Sequence, residues 1–248
     1  MAGSATRPHP PAAHERLIFA LDVANLPEAL DWVSRLRGQV RVFKVGLELF
    51  LAGGWDAVHQ IARAGGPVFL DLKLLDIPAT VRSALRQISS HADALRMVTV
   101  HAASAVSLAE AGLDARLQVL AVPVLTSVSS ADLHALGVRQ DLALPDYVLL
   151  LARRAMGLGC HGVITSPHEA RVVRQALGPA CLIVTPGVRP TWAVLPGDDQ
   201  QRAATPAQAI AAGADHLVVG RPIRDAADPV DAARRIQEEI AQALEGCR

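Results

Sequence analysis

The sequence predicts an α/β fold, a single (β/α)8 TIM barrel over residues 15–248, with a flexible N-terminal tail at 1–14. Three observations predict it. Eight apolar, β-branched-rich runs recur along the chain, and each is followed by a stretch with helical spacing. The runs are nearly continuous in hydrophobicity, as the strands of a parallel sheet covered by helices must be. The G-x-G-x-x-G that would mark a doubly wound open sheet, the competing fold, does not follow the first run.

The strands are expected at 16–23, 40–47, 67–75, 95–102, 118–128, 160–166, 181–188 and 215–223. The helices are expected at 25–38, 55–66, 79–92, 103–115, 145–159, 166–178, 205–213 and 229–246. Asn25 is a plausible N-cap for the first, which stops at Gly38. Ser166 and Thr205 precede Pro167 and Pro206, the pattern of a capping residue before proline at the first helical position. The longest irregular segment, 189–204, lies between strand seven and helix seven; loops of that length are usually functional or disordered.

Composition excludes several classes. Of the 248 residues, 51% are hydrophobic and 19% charged, so the chain is globular. Its formal charge is zero, which offers no electrostatic footprint for nucleic acid or an anionic membrane. No apolar run approaches the ~18 residues of a membrane span. The start, MAGSATRPHPPAAHE, lacks the apolar core of a targeting peptide. Cys160, Cys181 and Cys247 are odd in number and lack metal-ligand spacing, and read as reduced thiols of a cytoplasmic protein.

Barrel active sites lie at the C-terminal ends of the strands, and unusual polar residues fall there. Asp22 ends strand one and Lys44 lies in strand two. Strand three carries Asp71 and Lys73, with Asp76 just beyond. Thr126 and Ser127 close strand five. A turn containing Pro186, Gly187 and Arg189 follows strand seven, and Gly220 and Arg221 close strand eight. Alternation puts Asp71 and Lys73 on one face, opposite Leu70 and Leu72, so the charged pair should point into the barrel. A structural ion pair is the plain alternative. Lysine usage argues for more: of 24 basic residues only Lys44 and Lys73 are lysine. Arginine does not release its proton in proteins, whereas lysine does and is a compact point charge.

Glycine beside Arg221 permits close backbone approach to an anion, and the loops after strands seven and eight are the common phosphate site of barrels. A tight turn with a surface arginine is the plain alternative, disfavoured by the second such turn at 186–189. His101 reads as a hydrogen-bonded structural residue.

The run Asp71-x-Lys73-x-x-Asp76-Ile77-Pro78-x-Thr80 resembles the signature of the orotidine 5′-phosphate decarboxylase family. FALDV (19–23), FKVGLELF (43–50), VLTSV (124–128), TPGVRP (185–190), DDQQR with TPAQA (198–209) and VVGRPI (218–223) are similar to its bacterial members, in order. The resemblance implies a cofactor-independent, metal-free decarboxylation of orotidine 5′-phosphate to UMP and CO2, the last step of de novo UMP synthesis, in a homodimer with interface sites. It implies that Lys73 protonates C6, that Asp71 presses on the substrate carboxylate, and that Lys44 and Asp76 complete the charge network. Asp76 and Thr80 would serve the partner subunit's site, and Ile77 would bind substrate. Asp22 and Lys44 would contact ribose, and Thr126 and Ser127 the pyrimidine edge. Pro186, Arg189, Gln200, Gly220 and Arg221 would line the phosphate end, with Gln200 reaching the base as well. Many relatives have His where this chain has Leu75, and Asn where it has Ala79. The rival readings are a Mg-dependent sugar-phosphate decarboxylase or aldolase of the same barrel group, and a non-catalytic phosphate-binding barrel. The IPAT and TPAQA segments favour the nucleotide.

Overall fold

Eight apolar runs give eight strands because each must be buried on both faces. In the computed structural model, which describes residues 11–193 and 204–246, they are β1 (Leu17–Leu21), β2 (Val42–Val45), β3 (Val68–Leu74), β4 (Leu95–His101), β5 (Gln118–Val122), β6 (Gly162–Ile164), β7 (Leu182–Thr185) and β8 (His216–Val219). All pair in parallel, in chain order, and β8 returns to β1 through Leu17–Leu217, Ile18–Val218 and Phe19–Val219. The barrel is closed, so no strand edge is left unpaired.

Alternation along each strand separates two cores. Ile18, Ala20, Val42, Phe69, Met97, Leu120, Val122, Ile164, Val184 and Val218 fill the barrel interior. Their neighbours Leu17, Phe19, Leu21, Phe43, Val45 and Leu70 face outward into a larger core shared with the helices. Parity therefore fixes what can line the mouth: the next inward positions after Ala20, Val42 and Phe69 are Asp22, Lys44 and Asp71.

The covering helices are α1 (Leu26–Arg35), α2 (Leu47–Gly65), α3 (Pro78–Ser89), α4 (Ser130–Ala135), α5 (Leu144–Gly157), α6 (Pro167–Leu177), α7 (Pro206–Ala211), α8 (Arg221–Arg224) and α9 (Pro229–Gly246). Asn25 caps α1 by accepting the Glu28 N–H at 3.0 Å, and Thr205 caps α7 through the Gln208 N–H. Ser166 does not cap α6; its hydroxyl donates to the Glu169 carboxylate instead.

The elements are generally shorter than the sequence reading expects, and some depart from it further. Helix two begins at Leu47 rather than 55, and bends at Gly54, where φ is 53°. The expected helix at 103–115 does not form: a 3-10 turn, Ala102–Ser104, gives way to irregular chain. Ala105, Val106 and Ala111 of that stretch are nonetheless buried, so tertiary packing decides its path against local propensity. Strand five ends at Val122 and strand eight at Val219, several residues short of the expected limits. Residues 1–10 of the expected tail lie outside the described residues. Its last residues enter the fold through a 3-10 turn, Ala13–Glu15, with the Arg16 guanidinium donating to the Pro11 carbonyl.

The N-terminal end of the barrel is held by polar bonds. Arg174 of α6 donates to the Asp215 carboxylate at 2.6 Å and to the carbonyls of Cys181 and Gly213, each at 2.8 Å. Asp215 also takes the Ile183 N–H at 2.8 Å. His216 beside it is 1% exposed, and its Nδ1–H donates to the Glu15 carbonyl at 3.0 Å. Burial, reinforced by nearby Arg96, pushes its pKa from 6.5 down to about 4. The folded chain therefore refuses a proton that the unfolded chain accepts. Stability should fall as pH drops from about 6.5 to about 4, by up to ~3 kcal/mol from this residue. Urea unfolding across that range should show a shallower fall in His216→Gln than in the wild type.

Candidate active site

Three strands bring four charged side chains to the C-terminal mouth. Lys44 of β2 lies between two carboxylates. Its Nζ is 2.9 Å from Asp22 Oδ1 and 3.9 Å from Asp71 Oδ2. Lys73 Nζ donates to the same Asp71 oxygen at 2.8 Å. The order is Lys73, Asp71, Lys44, Asp22: charges alternate along a short arc of the rim. Exposure differs along it. The side chains of Lys44 and Asp71 are 10% and 13% exposed, those of Lys73 and Asp22 34% and 55%. The two inner charges are buried enough to need each other, since an unpaired buried charge is strongly destabilising.

Backbone strain accompanies the array. Among the described residues Lys73 is the single non-glycine residue with positive φ, at 49°, a conformation that costs an L-residue about 1–2 kcal/mol. The pairing of β3 with β4 is interrupted here, running to Leu70–Val98 and resuming at Leu74–Val100. Lys73 still projects to the inside while Leu72 and Leu74 pack on the outer core, so the expected alternation holds through the irregularity.

Two residues that sequence reasoning missed complete the array. Thr99 of β4, fully buried, donates to Asp71 Oδ1 at 2.9 Å and accepts the Lys73 N–H at 2.8 Å. A threonine in an apolar strand carries no signal of this, because threonine is an ordinary strand former. Gly46 follows β2, and a Cβ there would meet Lys44 Nζ at 3.2 Å and Asp22 Oδ1 at 3.6 Å, so glycine clears room for that pair. Its place two residues after Lys44 was the available clue. The loop after β1 is also tied down, by Arg224 donating to the Asp22 carbonyl at 3.2 Å.

The remaining expected residues are distributed around the rim. Gly220 sits beside the array, its Cβ direction leading to Asp22 Oδ2 at 3.7 Å. Arg221 opens α8 directly after it, beyond the strand rather than on it. Arg189 follows the neighbouring strand β7 and is 9% exposed; its Nη1 donates to the Val188 carbonyl and its N–H to the Ala204 carbonyl. Pro186 and Gly187, with φ of 74°, form the turn between them. Thr126 and Ser127 lie in a turn past β5, closed by the Val128 N–H on the Leu125 carbonyl at 3.0 Å. Gln200 lies outside the described residues. Trp192, at the start of that loop, is held under the guanidinium of Arg235, 4.2 Å from its ring centre.

Asp76, Ile77 and Thr80 do not join the array within one chain. All three are exposed, and the Asp76 carboxylate takes the N–H of Ile77 at 2.6 Å. Leu47 and Leu51 at the start of α2, and Leu75 and Ile77 between β3 and α3, expose more than half of their surface. His101 is turned to structure: its Nδ1 accepts the Ala103 N–H at 3.3 Å, and burial lowers its pKa below the usual 6.5.

A closed parallel barrel whose mouth carries alternating lysines and aspartates has the architecture of a barrel enzyme, with its charged groups at the end where such enzymes hold their sites. The chain belongs to the orotidine 5′-phosphate decarboxylase / HUMPS family, whose model matches residues 15–236. It is 48% identical to the orotidine 5′-phosphate decarboxylase of Syntrophotalea carbinolica, over 94% of this chain and 98% of that one. It is 49% identical to that of Anaeromyxobacter sp. (strain K), over 90% and 96%. The crystal structure of orotidine 5′-phosphate decarboxylase from Lactobacillus acidophilus superposes with a TM-score of 0.76 at 34% identity, covering 91% of this chain and 99% of that one.

The strain at Lys73 is separable from its chemistry. Lys73→Gly and Lys73→Ala both remove the ammonium, but only glycine accepts a positive φ freely. The glycine variant should be the more stable of the two by about 1 kcal/mol in denaturant unfolding.

Proposed function

We propose that this protein converts orotidine 5′-phosphate to UMP and CO2 without a cofactor, and that the Lys73–Asp71–Lys44–Asp22 array performs the chemistry. The observation that carries the reading is Lys73 Nζ held 2.8 Å from Asp71 inside a barrel mouth of this family. Residues 15–248 act as one catalytic domain in the cytoplasm. Cys160, a buried thiol outside any disulfide, accords with that compartment.

Loss of CO2 from C6 leaves an electron pair that the pyrimidine ring delocalises poorly. The Lys73 ammonium stabilises that charge from a fixed position and then transfers a proton to C6. Asp71 faces the substrate carboxylate. Like charges ~4 Å apart at an effective dielectric near 20 repel by about 4 kcal/mol, a repulsion that ends when CO2 departs. Lys44 holds Asp71 in place, and with Asp22 contacts ribose. Thr126 and Ser127 meet the pyrimidine edge. Arg189, Gly220 and Arg221, with Pro186 in the preceding turn, take the phosphate, whose binding energy orients the ring.

The protein works as a homodimer. Asp76, Ile77 and Thr80 reach the partner's site, and the exposed Leu47, Leu51, Leu75 and Ile77 are covered by the second copy. Exposed apolar clusters of this kind mark interaction surfaces. The rival Mg-dependent sugar-phosphate reaction is less well supported, because relatives at 48% and 49% identity are orotidine 5′-phosphate decarboxylases.

Ultraviolet monitoring of orotidine 5′-phosphate with excess EDTA should show undiminished turnover; complete loss would favour the metal-dependent rival. Lys73→Ala should abolish turnover while the protein remains folded, and Arg221→Ala should act mainly by raising KM. Mixing inactive Lys73→Ala and Asp76→Ala protomers should restore activity, because one of the two sites in a mixed dimer is then intact. Two inactive variants that stay inactive after exchange of subunits would place Asp76 outside the partner's site.

A further inference from the structure

We infer that Thr99 is a positioning residue that sets Asp71 and Lys73 against each other through one hydroxyl group. The inference rests on the roles proposed above for those two residues. Thr99 follows Met97 by two positions on β4 and so faces into the barrel, where it is fully buried. A hydroxyl has one proton to donate and lone pairs to accept with. Here both functions are taken by the reacting pair: the proton goes to Asp71 Oδ1 at 2.9 Å, and the lone pair receives the Lys73 N–H at 2.8 Å.

The reason for this arrangement lies in the strand. The β3–β4 ladder is interrupted between Leu70 and Leu74, and Lys73 is turned to φ 49° inside that gap. The Lys73 N–H is thus turned away from the regular ladder, and the Thr99 oxygen receives it. Acceptance from Lys73 fixes which way the hydroxyl proton points, towards Asp71. With Oδ1 held by Thr99, Oδ2 is left to face Lys73 Nζ at 2.8 Å and Lys44 Nζ at 3.9 Å. One side chain therefore orients the carboxylate and anchors the backbone of the proton donor.

Valine matches threonine in shape and lacks the hydroxyl. Steady-state kinetics on orotidine 5′-phosphate should show kcat of Thr99→Val reduced about 10- to 100-fold, the loss expected for a hydrogen bond to a charged group. Affinity for UMP, which lacks the carboxylate that Asp71 faces, should stay within about threefold of wild type. Thr99→Ser, which keeps the hydroxyl, should recover most of the lost kcat. A Thr99→Val enzyme with kcat within about threefold of wild type would overturn the inference while leaving the proposed reaction standing. So would a parallel loss of UMP affinity, which indicates a deformed site, or a serine variant that recovers nothing. If the valine variant does not fold, Thr99→Ala must meet the same criteria. A wild-type protein that leaves orotidine 5′-phosphate unchanged would remove the proposed reaction and this inference together.

Discussion

The carboxylate of Asp71 is the point on which the mouth of the barrel is organised. It is largely buried, and one of its oxygens faces two lysines at 2.8 and 3.9 Å. Removing a carboxylate from water costs several kcal/mol after relaxation, so the site exists only because both cations and the Thr99 hydroxyl converge on it. Each cation is in turn fixed by something else. Lys44 is anchored by Asp22, in space kept open by Gly46, and Lys73 by a strained backbone. The interaction is mutual, and no member of the array has a stable arrangement in isolation.

The barrel makes this convergence possible. Residues on β1, β2, β3 and β4 are brought to one arc because those strands are successive neighbours in the sheet. Strand alternation then assigns every second residue to the interior, so the step from Ala20 to Asp22, Val42 to Lys44 and Phe69 to Asp71 becomes depth within the barrel. At the opposite end the Arg174–Asp215 pair and neutral His216 tie strands together without facing the mouth. The charged array and the polar bonds that close the barrel thereby lie at opposite ends of one scaffold, the division general for this architecture.

What was legible in the sequence followed from burial. Eight doubly buried strands cannot be hidden in a sequence, and the inward placement of Lys44, Asp71 and Lys73 follows from a period of two. Helices were less legible, because a surface segment of Ala, Ser and Leu satisfies a helical pattern without forming one. Residues 103–115 show this: Gly112 adopts φ 61°, and the apolar side chains are buried along an irregular path. Conversely α4 was missed, although its capping box, Ser129 with Asp132, is written in the sequence and is present in the fold. Thr99 was invisible because its importance depends on the gap opposite it in β3, a tertiary fact. Asp76 stands in the motif as the sequence writes it, yet within one chain its carboxylate turns to its own neighbour's N–H.

The scarcity of lysine has a consequence outside catalysis. Of the two lysines in the chain, Lys44 has 10% of its side chain exposed and Lys73 34%. Wherever acetyl donors, cyanate or reactive aldehydes meet this protein, its many surface cations are guanidinium groups that amine-directed reagents largely ignore. The side-chain amine most open to such reagents is Lys73, the proposed proton donor. Covalent damage that most proteins absorb on many surface lysines is here concentrated on the residue to which the proposed reaction assigns the proton. A bound nucleotide, by covering Lys73, would act as its chemical shield.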